Sequence, residues 1–343
     1  MDTDINCGSG GGSQTKTSLR ILSIFVILIG SMSGALFPVL ARRSSWLHVP
    51  KGVFDFAKYF GSGVIIATAF IHLLSPGLDE LGSDCLSPAW KEYPYALALC
   101  LLSIFSIFIV ELIAFRWGTS KLAKIGMVHD AHGHDHGSHA AHGPESNYVQ
   151  SSKIADKDQS LDIEETAQAP EHVHSHGFED SITTQIIGVG ILEFGVLLHS
   201  FLIGLTLAVT DDFKVLFVVL VFHQTFEGLG VGSRLAYLDI PKRFYWVPIL
   251  GGVLYGITTP VGIAIGLGIR TTYNPDGTTA SIVSGVLDSL SAGILIYTGL
   301  VELFAHEFLF NKEMMNSSNG RLAYSVSCMC LGCGLMALLG KWA

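Results

Sequence analysis

Apolar residues along this chain gather into runs of about 20, with the polar residues between them, which is the pattern of membrane spans rather than of amphipathic surface helices. The runs extend from about Leu19 to Ala41, Tyr59 to Gly77, Tyr95 to Trp117, Thr183 to Val209, Lys214 to Arg234, Trp246 to Ile269, Ile282 to Ala305 and Leu322 to Gly340. At ~1.5 Å of rise per residue each run crosses a ~30 Å hydrocarbon core as a helix. Backbone groups in lipid must be satisfied within the segment, which favours helix over isolated strand. The predicted fold is therefore all-α integral membrane with eight transmembrane helices. The first run is too long for a signal-peptide core and lacks a small-residue cleavage site before Arg42 and Arg43, so it is read as a span.

An even number of spans returns both termini to one side. Lys and Arg near span ends collect in the cytoplasm. With both termini extracellular, 14 of the 20 Lys and Arg fall on the cytoplasmic side and 6 on the other, which favours that orientation. Residues 1–18, rich in Gly and Ser, are expected to form a disordered extracellular tail, followed by spans one to three over 19–117. Residues 118–182 are then a disordered, His-rich cytoplasmic loop between helices 3 and 4, and residues 183–343 carry spans four to eight. Nine of the 14 histidines lie in that loop: His129, His132, His134, His136, His139, His142, His172, His174 and His176. Such a tract is read as a weak, exchangeable zinc contact.

Composition sharpens this picture without changing it. Hydrophobic residues make up 49% of the 343 positions and charged residues 14%, against a usual charged share of about 25% in soluble domains. The formal charge of −9 comes with no basic stripe, which argues against a nucleic-acid partner. The partners expected are the lipid bilayer and divalent metal ions, with a homodimer left open. Cys7 and Cys85 fall outside the apolar runs and can pair if both face an oxidising compartment. Cys328, Cys330 and Cys333 share the last run and are read as small, soft packing residues.

The chemistry concentrates where the apolar pattern is interrupted. The fourth and fifth runs form a hairpin with its tip at Asp211, and His199 and His223 lie twelve residues to either side of that tip, hence at one depth near mid-membrane. Glu227 follows His223 by four residues and shares its helix face. Two imidazoles and a carboxylate are ligand types for zinc or another borderline divalent ion. Ionisable groups at such depth are costly and usually line a path or pair with one another. The spacing alone leaves transport and catalysis both open. Glycines in the fourth, fifth and sixth runs predict close helix packing around this point, beside Pro260.

His-Ser-x-x-Ile-Gly over 199–204 and His-Gln-x-Phe-Glu-Gly over 223–228, in this order within an eight-span chain carrying a His-rich loop, resemble the ZIP (Zrt-, Irt-like) metal transporter family, and within it the plant and fungal zinc and iron importers. The resemblance implies import of Zn2+ into the cytoplasm as the transported substrate, with Fe2+ or Cd2+ as further substrates, no organic cofactor, no enzymatic reaction, and a multi-pass place in the plasma membrane. It implies His199, His223 and Glu227 as metal ligands. Family members with a bridging Glu in the fourth span hold two metals; Ile203 stands at that place here. Ser200 and Gln224 then remain as a weak second site.

Further polar residues suggest a path. His72 is expected near the outer end of the second span beside Asp79, Glu80 and Asp84, and Asp288 near the outer start of the seventh. Glu302 and His306 are expected at the cytoplasmic end of the seventh span as an exit, whereas Glu307 is expected to meet headgroup water. Glu111 and Glu193 are not read as ligands. The competing reading is a membrane-embedded zinc-dependent hydrolase, in which a tightly held metal activates water; an iron-preferring importer is the variant within the transporter class.

Overall fold

The structure is a computed structural model that describes residues 7, 11–13, 15–44, 49–124, 176–210, 212–238, 240, 242–275 and 277–342. Eight long apolar helices account for the eight predicted spans: α1 (Thr17–Arg43), α2 (Lys51–Leu81), α3 (Tyr95–Lys124), α4 (His176–Val209), α5 (Phe213–Tyr237), α6 (Trp246–Ile269), α7 (Thr278–Phe310) and α8 (Asn319–Leu339). Short turns at Pro88–Trp90, Lys242–Phe244 and Lys312–Met315 link them. α3 and α4 run further than expected, to Lys124 and back to His176, into the stretch read as linker. His176 is thus the first residue of α4, and the other eight loop histidines lie outside the described residues.

The helices pack as two groups of four. α1 lies along α5 and α6, and α4 lies along α6; in the second group α8 lies along α2, and α3 along α7. The groups meet where α2 faces α5 and where α4 faces α7. Glycine sets both kinds of contact. A Cβ on Gly204 of α4 would come within 2.5 Å of the Thr259 carbonyl oxygen on α6, and one on Gly61 of α2 within 2.2 Å of Gly230 Cα on α5. Without hydrophobic drive between helices in lipid, close backbone approach of this kind supplies the packing.

Two spans contain π-helical segments, Thr68–Leu74 in α2 and Thr298–Phe310 in α7. The first has a local cause. Pro76 has no N–H to offer the preceding turn, and Ser75 N–H reaches back to the Phe70 carbonyl. Such a bulge re-aims the side chains of its turn, and His72 lies in it.

Outward faces are apolar, as spans require: Leu101, Leu102, Phe105 and Ile113 of α3 are all exposed. At the hairpin-tip end a buried Arg20 ties α1 to the tip, its guanidinium donating to the carbonyl oxygens of Leu207 at 2.9 Å and Thr210 at 2.6 Å and stacking over Phe213. It thereby fills the acceptors that the end of α4 leaves open. Cys7 and Cys85 form a disulfide near the same end. Cys328 and Cys333 pack in separate apolar clusters, in keeping with their reading as packing residues, whereas Cys330 points outward and departs from it. Glu111 accepts a hydrogen bond from Tyr297 at 2.7 Å, which links α3 to α7.

Candidate metal-transport site

α4 brings His199, and α5 brings His223 and Glu227, to one buried place where the two helix groups meet. One ligand atom from each residue lies within 4.8 Å of the others. The two imidazole rings stand 5.5 Å apart, tilted by 32°. His223 Nε2 and Glu227 Oε2 are 3.9 Å apart, one helical turn along α5. Among the described residues, His199 Nε2, both nitrogens of His223 and Glu227 Oε1 are buried with no hydrogen-bond partner.

That last observation decides what the cluster can do. A buried polar atom left unmatched costs about 1–3 kcal/mol, and four of them lie here on two helices. A divalent cation matches one atom from each of the three residues, and the second nitrogen of His223 keeps the ring proton. Imidazole nitrogen and carboxylate oxygen are suited to zinc with bonds of ~2.0–2.2 Å, so the donors need close on the ion by only about an ångström. Three protein ligands also leave a position open, the arrangement of sites that exchange what they bind rather than hold it for structure.

The opposite helix group supplies two neighbours. His72 sits edge-on to His223, with ring centres 4.6 Å apart, and its Nε2 lies 3.0 Å from the Met336 carbonyl oxygen of α8. A ring nitrogen facing a carbonyl must carry the proton, which leaves Nδ1 as the acceptor. His72, expected near the outer end of its span beside an acidic loop, is carried to the site instead by the longer α2 and its π segment. Asp288 is displaced inward for the same reason. α7 begins at Thr278, and Asp288 Oδ1 comes to 3.9 Å from His199 Nδ1.

Ser200 and Gln224, the expected weak second site, are both fully buried at this level. Gln224 Nε2 donates to Thr259 Oγ1 at 2.6 Å, and its Oε1 accepts from the Tyr255 hydroxyl at 2.6 Å. Both ends of the amide are therefore engaged by α6, and Ser200 Oγ has no partner among the described residues. Tyr255 and Thr259 were not singled out in the sequence; a Tyr and a Thr in an apolar, Gly-rich run carry the signature of packing. Their spacing of four residues, on the face toward α5, was the available signal.

Glu302 and His306 lie in the π segment of α7, both partly buried and outside the metal-type cluster. Glu307 departs from its expected place in headgroup water. It is buried, pairs with Lys58 of α2 and accepts from the Tyr59 hydroxyl at 3.2 Å. Glu193 stands apart from the cluster, with Oε1 buried against Gly251 of α6.

The sequence model of the family described as ZIP Zinc transporter matches residues 17–340, all eight helices and the site they enclose. The chain belongs to the ZIP family. Among its relatives, the zinc-regulated transporter 2 of Saccharomyces cerevisiae is 35% identical over 424 aligned positions, covering 100% of this chain and 98% of the relative. The zinc-regulated transporter 1 of the same yeast is 41% identical over 352, covering 97% and 90%. The Fe(2+) transport protein 1 of Arabidopsis thaliana is 34% identical over 336, covering 95% and 86%. These ZIP proteins are named as transporters, not enzymes.

Proposed function

We propose that this ZIP protein imports Zn2+ across the plasma membrane into the cytoplasm, with His199, His223 and Glu227 as the ligands of its transport site. The observation that carries the reading is the set of buried ligand-type atoms, one from each of three residues, without hydrogen-bond partners among the described residues and close together where the two helix groups meet. All three ligands ride on the group α1, α4, α5 and α6, whereas His72 and Asp288 belong to the facing group. Sliding of one group past the other then carries the metal between the two sides, exchanging its neighbours but not its ligands. Neutral imidazole binds the ion, and protonation or substitution by water lets it leave.

Both termini and the Cys7–Cys85 disulfide face outward in this reading. The pairing supports it, because disulfides persist in oxidising compartments. The loop over 118–182 is then cytoplasmic, with its histidines as an exchangeable zinc contact, and Glu302 with His306 lines the exit. Since both ends of the Gln224 amide are engaged, Ser200 and Gln224 hold a second ion weakly at most, and one metal crosses per cycle. Zinc is preferred over iron because of the two imidazoles; the similarity to a protein named for Fe(2+) keeps iron, with cadmium, among the secondary substrates. The hydrolase reading has no support from relatives named as transporters.

The test is uptake of radioactive zinc into cells depleted of their own importers, with unlabelled Fe2+ and Cd2+ as competitors. Saturable inward zinc flux is expected. A well-expressed chain without flux, which keeps a stoichiometric metal through purification with chelator, would instead support the hydrolase.

A further inference from the structure

We propose that Asp288 is the counter-charge of the loaded transport site: from α7 it stands beside the zinc ligands as the ion is captured, and it is left behind as the ligand group slides toward the cytoplasm, which weakens the hold on the ion. The proposal rests on the zinc-import reading above and adds to it a residue of the facing helix group.

The three ligands do not balance the ion they would hold. Two neutral imidazoles and one carboxylate leave Zn2+ with a single positive charge. A charge at that depth is expensive unless another group pairs with it. Ser200 and Gln224, buried at the same level, carry none. Asp288 does. It is 8% exposed, and its Oδ1 lies 3.9 Å from His199 Nδ1 across the junction of the two groups. That separation is too long for a hydrogen bond, so the carboxylate does not hold the ring. Attraction between charges needs no such contact, because it falls only with the first power of distance. The imidazole ring is small and zinc sits ~2.0–2.1 Å from its nitrogen, so an ion on either nitrogen of His199 stands no more than about 8 Å from Asp288 Oδ1. At that range, even an effective dielectric constant of ~20 leaves an attraction equivalent to more than tenfold in affinity.

The register of α4 against α7 makes this charge conditional. His199 lies against Asp288, and a Cβ on Gly195, about one turn earlier on α4, would come within 2.6 Å of Leu295 Cδ1, about two turns later on α7. The two helices are therefore antiparallel here. On the face of α7 that carries Asp288, the next residue toward the cytoplasm is Ser291, followed by Leu295. Ser291 is fully buried, and its hydroxyl oxygen has no hydrogen-bond partner among the described residues. Inward movement of the ligand group by one turn thus takes His199 from a carboxylate to a neutral hydroxyl. The surroundings stay polar while the charge is lost. Affinity then follows the position of the two groups, with no ligand exchanged.

Asp288→Asn keeps the shape of the side chain and removes its charge. At surface expression matched to the intact chain it is expected to raise the KM for zinc roughly 10-fold and to leave Vmax within about twofold. Asp288→Glu, which keeps the charge, should recover most of the affinity. In detergent at a fixed zinc concentration, the zinc-induced rise in melting temperature should be smaller for Asp288→Asn than for the intact chain or Asp288→Glu. Ser291→Asp, with Asp288 intact, adds a carboxylate one turn nearer the cytoplasm and should lower Vmax at least about threefold without raising KM, because the ion is then held where it must leave. An unchanged Vmax in that variant would overturn the release half of the proposal. A role confined to packing α4 against α7 would lower surface expression or metal-free melting temperature with KM unmoved, and that result overturns the counter-charge. If the intact chain shows no saturable zinc uptake, the transport reading itself falls. If it transports while Asp288→Asn leaves KM and the zinc-induced rise unchanged, the role of Asp288 alone is overturned. Should Asp288→Asn not reach the surface, Asp288→Ser takes its place in both measurements, and equality with the intact chain would overturn the role in the same way.

Discussion

Two buried polar clusters lie in this helix bundle, and their hydrogen bonding separates them. Near the end of α7, Glu307 is paired with Lys58 and approached by Tyr59, and on the neighbouring α5 Arg234 reaches Ser62 of α2 at 3.4 Å. Acid meets base across three helices. At the junction of the helix groups, His199, His223 and Glu227 keep ligand-type atoms buried without hydrogen-bond partners among the described residues. Burial of ionisable groups in a membrane protein is expensive in both places. In the first cluster an acid is matched by a base, and Arg234 Nε is the atom of that arginine left buried without a partner among the described residues. In the second, all three residues keep a ligand-type atom without one. Low exposure alone would rank the clusters together; the presence of an opposite charge in one and not the other separates them.

Breaking one half of each cluster should therefore move stability in opposite directions. Lys58→Met leaves the Glu307 carboxylate buried and unpaired, and is expected to lower stability by on the order of 3 kcal/mol. The detergent-solubilised protein should melt earlier, and the double change Lys58→Met with Glu307→Leu should recover most of the loss. His223→Leu removes two unmatched nitrogens at nearly constant volume and is expected to stabilise the metal-free protein by about 1 kcal/mol. The same variant should lose the rise in melting temperature that zinc gives the intact chain. A fall in metal-free stability would contradict the partner accounting.

The smallest effect belongs to a pair outside both clusters. Glu313, in the turn before α8, accepts from Arg321 at 2.8 Å, and Lys51 stands 3.9 Å away. The hydrogen bond and charge of Arg321 hold this carboxyl below the usual range. Its contribution is present above the unfolded pKa of about 4.3 and is lost as pH falls through the lower folded value. The pair is exposed, so Glu313→Gln should cost less than about 1 kcal/mol near neutral pH and nothing in strong acid.

The span pattern was readable in the sequence because each helix must cross lipid and cannot hide a charge cheaply. His199, His223 and Glu227 were readable for a related reason: two helices joined at Asp211 set equal distances along the chain at equal depth. His72 and Asp288 were misplaced because hydropathy finds the apolar middle of a span, not its full length, and α2 and α7 both run further than their apolar runs. The π turn at Thr68–Leu74 adds a shift of face that no hydrophobic period records. Glu307 and Tyr255 escaped for another reason. Their partners are distant in the chain, Lys58 by 249 residues and Gln224 by 31, and a lone Glu or Tyr does not name its partner. The family motifs pointed to the three residues proposed as ligands; the groups that surround them came from the packing of α6, α2 and α7.

The central claim is that the three unmatched donors carry the metal. Zinc uptake by His199→Ala, His223→Ala and Glu227→Ala, each at surface expression matched to the intact chain, tests it most directly. The account predicts that all three lose saturable uptake. Retention of uptake with unchanged KM in any one of them would contradict the assignment of that residue as a ligand, and retention in all three would place the transport site elsewhere.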